Sequence, residues 1–214
     1  MFDFLTAGKI KGLLGSYPIT LLPHRGQFAK LNPEEADANL AWFEAHKAQR
    51  IASAARVLSA FDIAVATGAD DIENFSKRLD AFFKRELVKY PGFAKSLGPN
   101  WEEQHFANPN PGICFLVDIS VLLGEMVVAH SPVFRWDIDR DPWRKRAKAA
   151  TVGRIVLFAD GDKERKSAAV VLDVDRWVVS ALSESCRMRD APSLQRTNMF
   201  LFLPQIFEGR YDPI

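Results

Sequence analysis

Glu125 is the first residue whose type and position could do chemistry, because it lies in an apolar run. The stretch LLGEMVVAHSPVFRWDID, residues 122–139, is apolar on every side up to Ala129 except at Gly124 and Glu125. A carboxylate on an apolar helix has a raised pKa, as a general acid requires. The alternative is a structural acid that pairs with a basic side chain such as Arg135. We favour the structural interpretation and assign no catalytic residue.

A second candidate is the segment RDPWRKRAKAATVGR, residues 140–154, in which the basic side chains are opposed only by Asp141. Basic residues interleaved with a tryptophan can grip phosphates, stack a base or face an acidic protein. The formal net charge of +1 gives no reason to expect general nucleic-acid or membrane-surface binding. A solvated linker or a patch for an acidic protein is therefore favoured over nucleic acid. The candidate binding residues are Arg140, Trp143, Arg144, Lys145, Arg146 and Glu125.

Motifs for metals, cofactors and activated nucleophiles do not occur in the sequence. The histidines form neither HxH nor HxxxH, and Cys114 and Cys186 have no CxxC spacing. The acids at positions 137, 139 and 141 end a predicted strand, where alternating acids usually face solvent. No GxSxG, GxxxxGK[ST] or GxGxxG sequence is present. We therefore predict no metal site, no cofactor and a pair of reduced cysteines.

Two long helices are predicted in the N-terminal half. The first begins with the N-cap Asn32, a proline at the first helical position and Glu35 at capping-box spacing, and its apolar stripe runs to Phe61. A second apolar stripe covers residues 72–90. Because the connection between the stripes is short, the two helices are predicted to pack as an antiparallel hairpin.

The connection that follows, residues 92–112, is rich in proline, asparagine and glycine. This composition predicts irregular structure, with one helical turn at residues 101–105. After it, Ile113–Ala129 is predicted to be a helix that is buried on several sides. In this helix, Gly124 is predicted to let another backbone approach closely.

An antiparallel meander is predicted after this helix. Its strands are Val133–Ile138, Ile155–Ala159 and Ala168–Leu172, with a turn at Asp160–Gly161. On the first strand, alternation predicts that Phe134, Trp136 and Ile138 face the core.

The C-terminal segment is predicted to hold one more helix and an apolar tail. Asp173 or Asp175 is predicted to cap the helix. The tail NMFLFLPQIFEGRYDPI, residues 198–214, is too apolar to be left in water. We expect it to dock on its own chain, with pairing of two copies as the alternative.

The order of elements predicts an α+β fold: an N-terminal helical hairpin, then a buried helix packed on a small antiparallel sheet of three or more strands, with a C-terminal helix. One domain over residues 1–214 is predicted, with a division into parts 1–91 and 112–214 as an alternative. The run Ile113–Ala129 is shorter than the ~20 residues of a membrane helix, and no signal peptide is recognised. A cytoplasmic protein without a membrane partner is therefore expected.

Three short motifs stand in the second half of the chain: VLLGEMVV at 121–128, FRWDI at 134–138 and DVDRWVVSAL at 173–182. In their order they resemble a group of small bacterial α+β domains of unknown function, some of which are immunity proteins of toxin systems. The resemblance implies a binding protein and brings no catalytic residue with it.

The leading functional prediction is a non-enzymatic protein that binds another, toxin-like protein, with a homodimer as a further expectation. The alternative is a small-molecule-binding domain, or a hydrolase that uses Glu125 and a nearby histidine. The two classes are discriminated by whether Glu125 opens onto a polar cavity or is buried against Arg135.

Overall fold

The computed structural model describes residues 2–65, 69–91, 93, 97, 101–160, 169–190, 200 and 202–207. Its helices are α1 (Phe2–Gly15), α2 (Pro33–Ser59), α3 (Ala69–Arg85), α4 (Trp101–Ala107), α5 (Pro111–His130), α6 (Pro142–Arg146), α7 (Val174–Asp190) and α8 (Phe202–Phe207). Its strands are β1 (Phe134–Ile138), β2 (Ile155–Ala159) and β3 (Val170–Leu172). The predicted α+β class is confirmed.

The helix boundaries follow from local capping. The side chain of Asn32 accepts a hydrogen bond from the backbone of Glu35 at 2.8 Å, and the Glu35 side chain accepts one from the backbone of Asn32 at 3.0 Å. The predicted capping box is therefore confirmed. Of the two acids proposed as caps for α7, Asp173 is the cap, since its Oδ1 accepts from the backbone N–H of Arg176 at 3.1 Å.

The three strands form one antiparallel sheet in the order β1-β2-β3. Trp136 pairs with Leu157, which pairs in turn with Leu172. Phe134 and Ile138 are buried as predicted, whereas Trp136 is only partly buried. The predicted turn residue Gly161 lies outside the described residues.

Helix α5 forms the centre of the core and packs against both α2 and α7. Ile113, Phe115, Leu116 and Ile119 are fully buried. At 20 residues α5 is longer than predicted, and it is the one helix of the described ranges that is long and apolar enough to cross a membrane. However, 78% of its most apolar stretch is buried inside the protein, and a core helix passes the same test of length and composition.

Part of the apolar tail is docked on the same chain. Phe200 and Leu203 are buried in the core, and the Phe200 ring lies 4.9 Å from the ring of Phe83. The hydroxyl of Ser76 donates to the Phe200 carbonyl at 2.9 Å. Intrachain docking is confirmed for these two residues; Met199 lies outside the described ranges.

Candidate binding pocket

Three tryptophans from three separate elements line one partly enclosed cavity: Trp42 of α2, Trp101 of α4 and Trp136 of β1. Each is partly exposed. Val117 and Val121, one turn apart on α5, form the wall behind them. The cavity volume is about 70 Å³, enough for roughly five water molecules.

Trp136 reaches the cavity because Gly124 has no side chain. A Cβ atom at position 124 would lie 2.0 Å from Cζ2 of Trp136. The sequence prediction that Gly124 admits another backbone was therefore wrong, since it admits an indole ring. This contact packs β1 against the middle of α5.

The carboxylate of Glu125 forms a hydrogen bond with the same indole ring. Its Oε1 accepts from Nε1 of Trp136 at 2.7 Å and lies 3.1 Å from Nζ of Lys47. The predicted partner Arg135 pairs instead with Asp160, at 2.8 Å. The structural interpretation of Glu125 is thus supported with a different partner, since the carboxylate positions a cavity wall and is not itself in the lining.

Arg50 of α2 lines the cavity and forms a buried ion pair. Its Nε donates to Oδ1 of Asp118 on α5 at 2.6 Å, and both side chains are almost fully buried. The hydroxyl of Tyr17 donates to the other carboxylate oxygen at 2.7 Å. Burial raises the pKa of Asp118, and Arg50 and Tyr17 oppose that shift. The sequence analysis did not identify this cluster.

Arg154 meets three carboxylates at one end of the cavity. Its Nη1 donates to Glu102, its Nε lies 3.0 Å from Oδ2 of Asp173, and its Nη2 lies 3.7 Å from Oδ2 of Asp175. The guanidinium also stacks over Phe28, 5.6 Å from the ring centroid. Because one cation faces three acids, this end of the cavity has an excess of carboxylates.

Asp175 is the most weakly compensated of these acids. Burial raises its pKa to about 7; Arg154 lowers it and the neighbouring Asp173 raises it. Asp175 therefore holds a proton over part of the neutral pH range. A ligand that donates hydrogen bonds or carries a positive charge would favour its ionised form.

His105 lines the cavity, and Cys114 lies beside it, with Nε2 and Sγ 3.7 Å apart. Nδ1 of His105 accepts from the backbone N–H of Asn110, which places the imidazole proton on Nε2. Burial lowers the pKa of His105 to about 4 and raises the pKa of Cys114 to about 11. At pH 7 the pair is therefore a neutral imidazole and a protonated thiol, which is not the arrangement of an activated nucleophile.

The basic segment does not form one patch. Arg140 pairs with Asp37, and Arg144 pairs with Asp139 at 3.1 Å. Arg154 is buried in the acid cluster, so carboxylates from outside the segment also pair with these cations. The aromatic and basic residues that remain exposed on and just after α6 are Trp143, Lys145, Arg146 and Lys148.

Asp139 also departs from its predicted position in solvent. Its side chain is buried, where it accepts hydrogen bonds from the Thr151 hydroxyl and from Arg144. These bonds join the end of β1 to the segment before β2. The backbone there turns at Gly153, whose φ of +76° suits glycine and whose missing Cβ leaves room for the Phe28 carbonyl.

The chain matches no protein-family model, no characterised protein and no solved structure. The resemblance to immunity-like domains therefore rests on the three short motifs and stays a prediction.

Proposed function

We propose that this chain is a small-molecule-binding protein whose ligand occupies the aromatic cavity. The observation that carries the proposal is the convergence of Trp42, Trp101 and Trp136 on a concave site that also contains buried Arg50 and Arg154. Apolar walls with a few placed polar groups are typical of ligand sites, because the walls supply affinity and the polar groups supply orientation. The small-molecule-binding alternative from the sequence analysis is therefore favoured over protein binding.

The chemistry of the site favours binding ahead of catalysis. Glu125, the acid first considered for hydrolysis, is held by Lys47 and by the indole of Trp136. The His105 imidazole and the Cys114 thiol are both neutral at pH 7. We interpret these groups as structural residues that support the walls of the cavity.

The proposal is tested by filling the cavity. A fragment library is screened by ligand-observed NMR against the unmodified protein and against Val117→Phe. Since Val117 lines the cavity, the larger ring is expected to weaken every hit at least tenfold. Val133→Phe is the matched control, because Val133 is 63% exposed and does not line the cavity. Equal binding to both variants, or no hits at all, would contradict the proposal.

A second measurement does not depend on how Val117→Phe folds. In the unmodified protein, bound fragments should shift the indole N–H resonances of Trp42, Trp101 and Trp136, and leave that of Trp143 unchanged. Shifts confined to Trp143 would place the binding surface at α6 instead.

A second function, recognition of an acidic, toxin-like protein partner, is supported by α6. Trp143 is 66% exposed, and Asp141 fixes the helix by accepting from the backbone N–H of Trp143 at 2.7 Å. Lys145, Arg146 and Lys148 are exposed and form no ion pair within the described residues. An exposed tryptophan among unpaired cations is the type of anchor that protein interfaces use.

This second function is tested with two labelled probes in fluorescence anisotropy, a poly-glutamate peptide and a DNA duplex of equal charge. We expect the peptide to bind more tightly than the duplex, and Trp143→Ala and Arg146→Glu each to weaken it. Tighter binding of the duplex would assign the surface to nucleic acid. Binding that neither substitution weakens would exclude α6 as the binding surface.

A further inference from the structure

A second concave site, the outer groove, is lined by one face of α2 and by the segment 18–21. Its volume is about 390 Å³. Since a cavity of about 150 Å³ holds benzene, the outer groove has room for a ligand of roughly ten to fifteen non-hydrogen atoms. The side chains from α2 follow the three- and four-residue spacings of a helix face: Trp42, His46, Gln49, Arg50 and Ser53.

Arg50 has two terminal nitrogens that the protein does not use. Its Nε donates to Asp118 at 2.6 Å, and the guanidinium lies over the ring of Phe43, 5.7 Å from the centroid. These contacts fix the plane of the guanidinium, while Nη1 and Nη2 form no hydrogen bond or ion pair with any described residue. The described side-chain atoms that are both buried and unpartnered are Nε of Arg154 and Oδ2 of Asp173. The terminal nitrogens of Arg50 are therefore open to the space beside them.

Ser53, one helical turn after Arg50, supplies another unused donor to the outer groove. The residue is 9% exposed, and its hydroxyl forms no hydrogen bond with any described residue. The hydroxyls of Ser120 and Ser185, in contrast, donate to the carbonyls four residues before them, as serines inside helices commonly do. Because residues three apart are neighbours on a helix surface, one acceptor group can reach both Ser53 and Arg50.

The charge of the outer groove favours a monoanion. Its lining contains Arg50 and no carboxylate, since Asp118 lies behind Arg50 with its side chain 1% exposed and its second oxygen engaged by the Tyr17 hydroxyl. Two parallel N–H groups match the two oxygens of a carboxylate. A phosphate dianion would bring a second charge to a guanidinium that is already shared with Asp118.

The rest of the outer groove is mostly apolar. The rings of Trp42 and His46 stack with their centroids 4.2 Å apart, and Nδ1 of His46 donates to the Trp42 carbonyl at 2.7 Å. From the segment 18–21, Ile19 and Leu21 add aliphatic side chains, and Ile19 is 48% exposed. A ligand with an aromatic body would remove this apolar surface from water, which is favourable.

We propose that the outer groove binds a small aromatic monocarboxylate. The carboxylate accepts from Nη1 and Nη2 of Arg50 and from the Ser53 hydroxyl, and the aromatic body lies along Trp42, His46 and Ile19. This site goes beyond the function proposed above, because its ligand lies outside the aromatic cavity.

The first experiment compares three compounds that share one aromatic body and differ in charge. Binding of 2-naphthoate, 2-naphthamide and 2-naphthylmethylamine to the unmodified protein is measured by NMR titration. We expect naphthoate to bind at least tenfold more tightly than the amide or the amine. It should shift the indole N–H resonance of Trp42 and leave those of Trp101 and Trp136 unchanged, since these two line the aromatic cavity and not the outer groove.

Two substitutions locate the site. Gln49 is exposed and lines the outer groove but not the aromatic cavity, so Gln49→Trp should weaken naphthoate at least tenfold. Ala48→Trp is the matched control, because Ala48 is the exposed neighbour on α2 and lines neither site. Ser53→Ala removes one hydrogen bond to the carboxylate and should weaken naphthoate by roughly two- to tenfold.

Each contrary outcome overturns a stated part of the proposal. If the amide or the amine binds as tightly as naphthoate, the ligand is not a carboxylate. If naphthoate binds equally to Gln49→Trp and Ala48→Trp, or shifts Trp101 and Trp136, it does not occupy the outer groove. If naphthoate does not bind, the site is rejected. None of these outcomes bears on the aromatic cavity, whose own test is fragment binding to Val117→Phe.

Discussion

The cavity and the surface of α6 both combine tryptophan with basic side chains, but they differ in how the cations are compensated. In the cavity, Arg50 and Arg154 are each 5% exposed and each is paired with a carboxylate. On α6, Lys145 and Arg146 are exposed and remain without an ion pair among the described residues. A buried charge is costly unless it is paired, whereas an exposed one is solvated by water. The cavity should therefore be sensitive to substitution and the α6 surface tolerant of it.

Replacement of Arg154 by Met is expected to have the largest effect. Loss of the guanidinium leaves Glu102, Asp173 and Asp175 facing each other without a cation, so the free energy of unfolding should fall by about 3–5 kcal/mol. Urea denaturation measures the change. Arg146→Met, the matched change on α6, should lie within about 0.5 kcal/mol of the parent protein. Equal losses in the two variants would show that burial does not separate the two regions.

Gly124→Ala is expected to destabilise the protein by about 1–3 kcal/mol, because the new methyl group overlaps the Trp136 ring. A displaced indole should also change the tryptophan fluorescence. Gly12→Ala on α1 is the control, since a Cβ there meets nothing within 4 Å and alanine favours a helix. Stability equal to that of the parent protein would mean that β1 can move away from α5 at little cost.

The pH dependence of stability should identify Asp175. Its pKa is about 7 in the folded protein, well above that of an unfolded aspartate. Between about pH 4 and pH 7 the folded state keeps a proton that the unfolded state loses, so this residue lowers stability as the pH rises and contributes no further slope above pH 7.

Asp175→Asn removes that contribution. Relative to the parent protein it should be more stabilising at pH 8 than at pH 4.5, by roughly 1–2 kcal/mol after allowance for the partly exposed side chain. Denaturant titrations of both proteins at the two pH values measure this difference, in which the titrating groups that do not interact with Asp175 cancel. A difference of zero, or of opposite sign, would contradict the assignment.

Trp143→Ala is expected to have the smallest effect on stability. With 66% of the residue exposed, little apolar area is lost from the core, and the change should stay within about 0.5 kcal/mol. The melting temperature checks this. A large drop would mean that α6 is part of the packing of the protein and is not a free surface.

Local features of the fold could be predicted from the sequence because they depend on neighbouring residues. The capping box at Asn32 and Glu35 needs only the spacing of two residues, and the β1 alternation needs only the two-residue period of a strand. The structural role of Glu125 could also be inferred, since an isolated acid on an apolar helix requires a partner. The sequence patterns did not identify the side chains that pair with Glu125 in the structure.

The cavity depends on contacts that only the tertiary structure decides. Arg50 and Asp118 are separated by 68 residues, and Arg154 and Glu102 by 52. Arg50 adjoins the predicted apolar stripe of α2 and Asp118 interrupts the apolar run of α5, which together could have signalled a buried pair. Arg154 carried no such signal, because in the sequence it belongs to a basic segment. Its burial, and the pairing that burial requires, arise only when the segment before β2 packs against α4 and the start of α7.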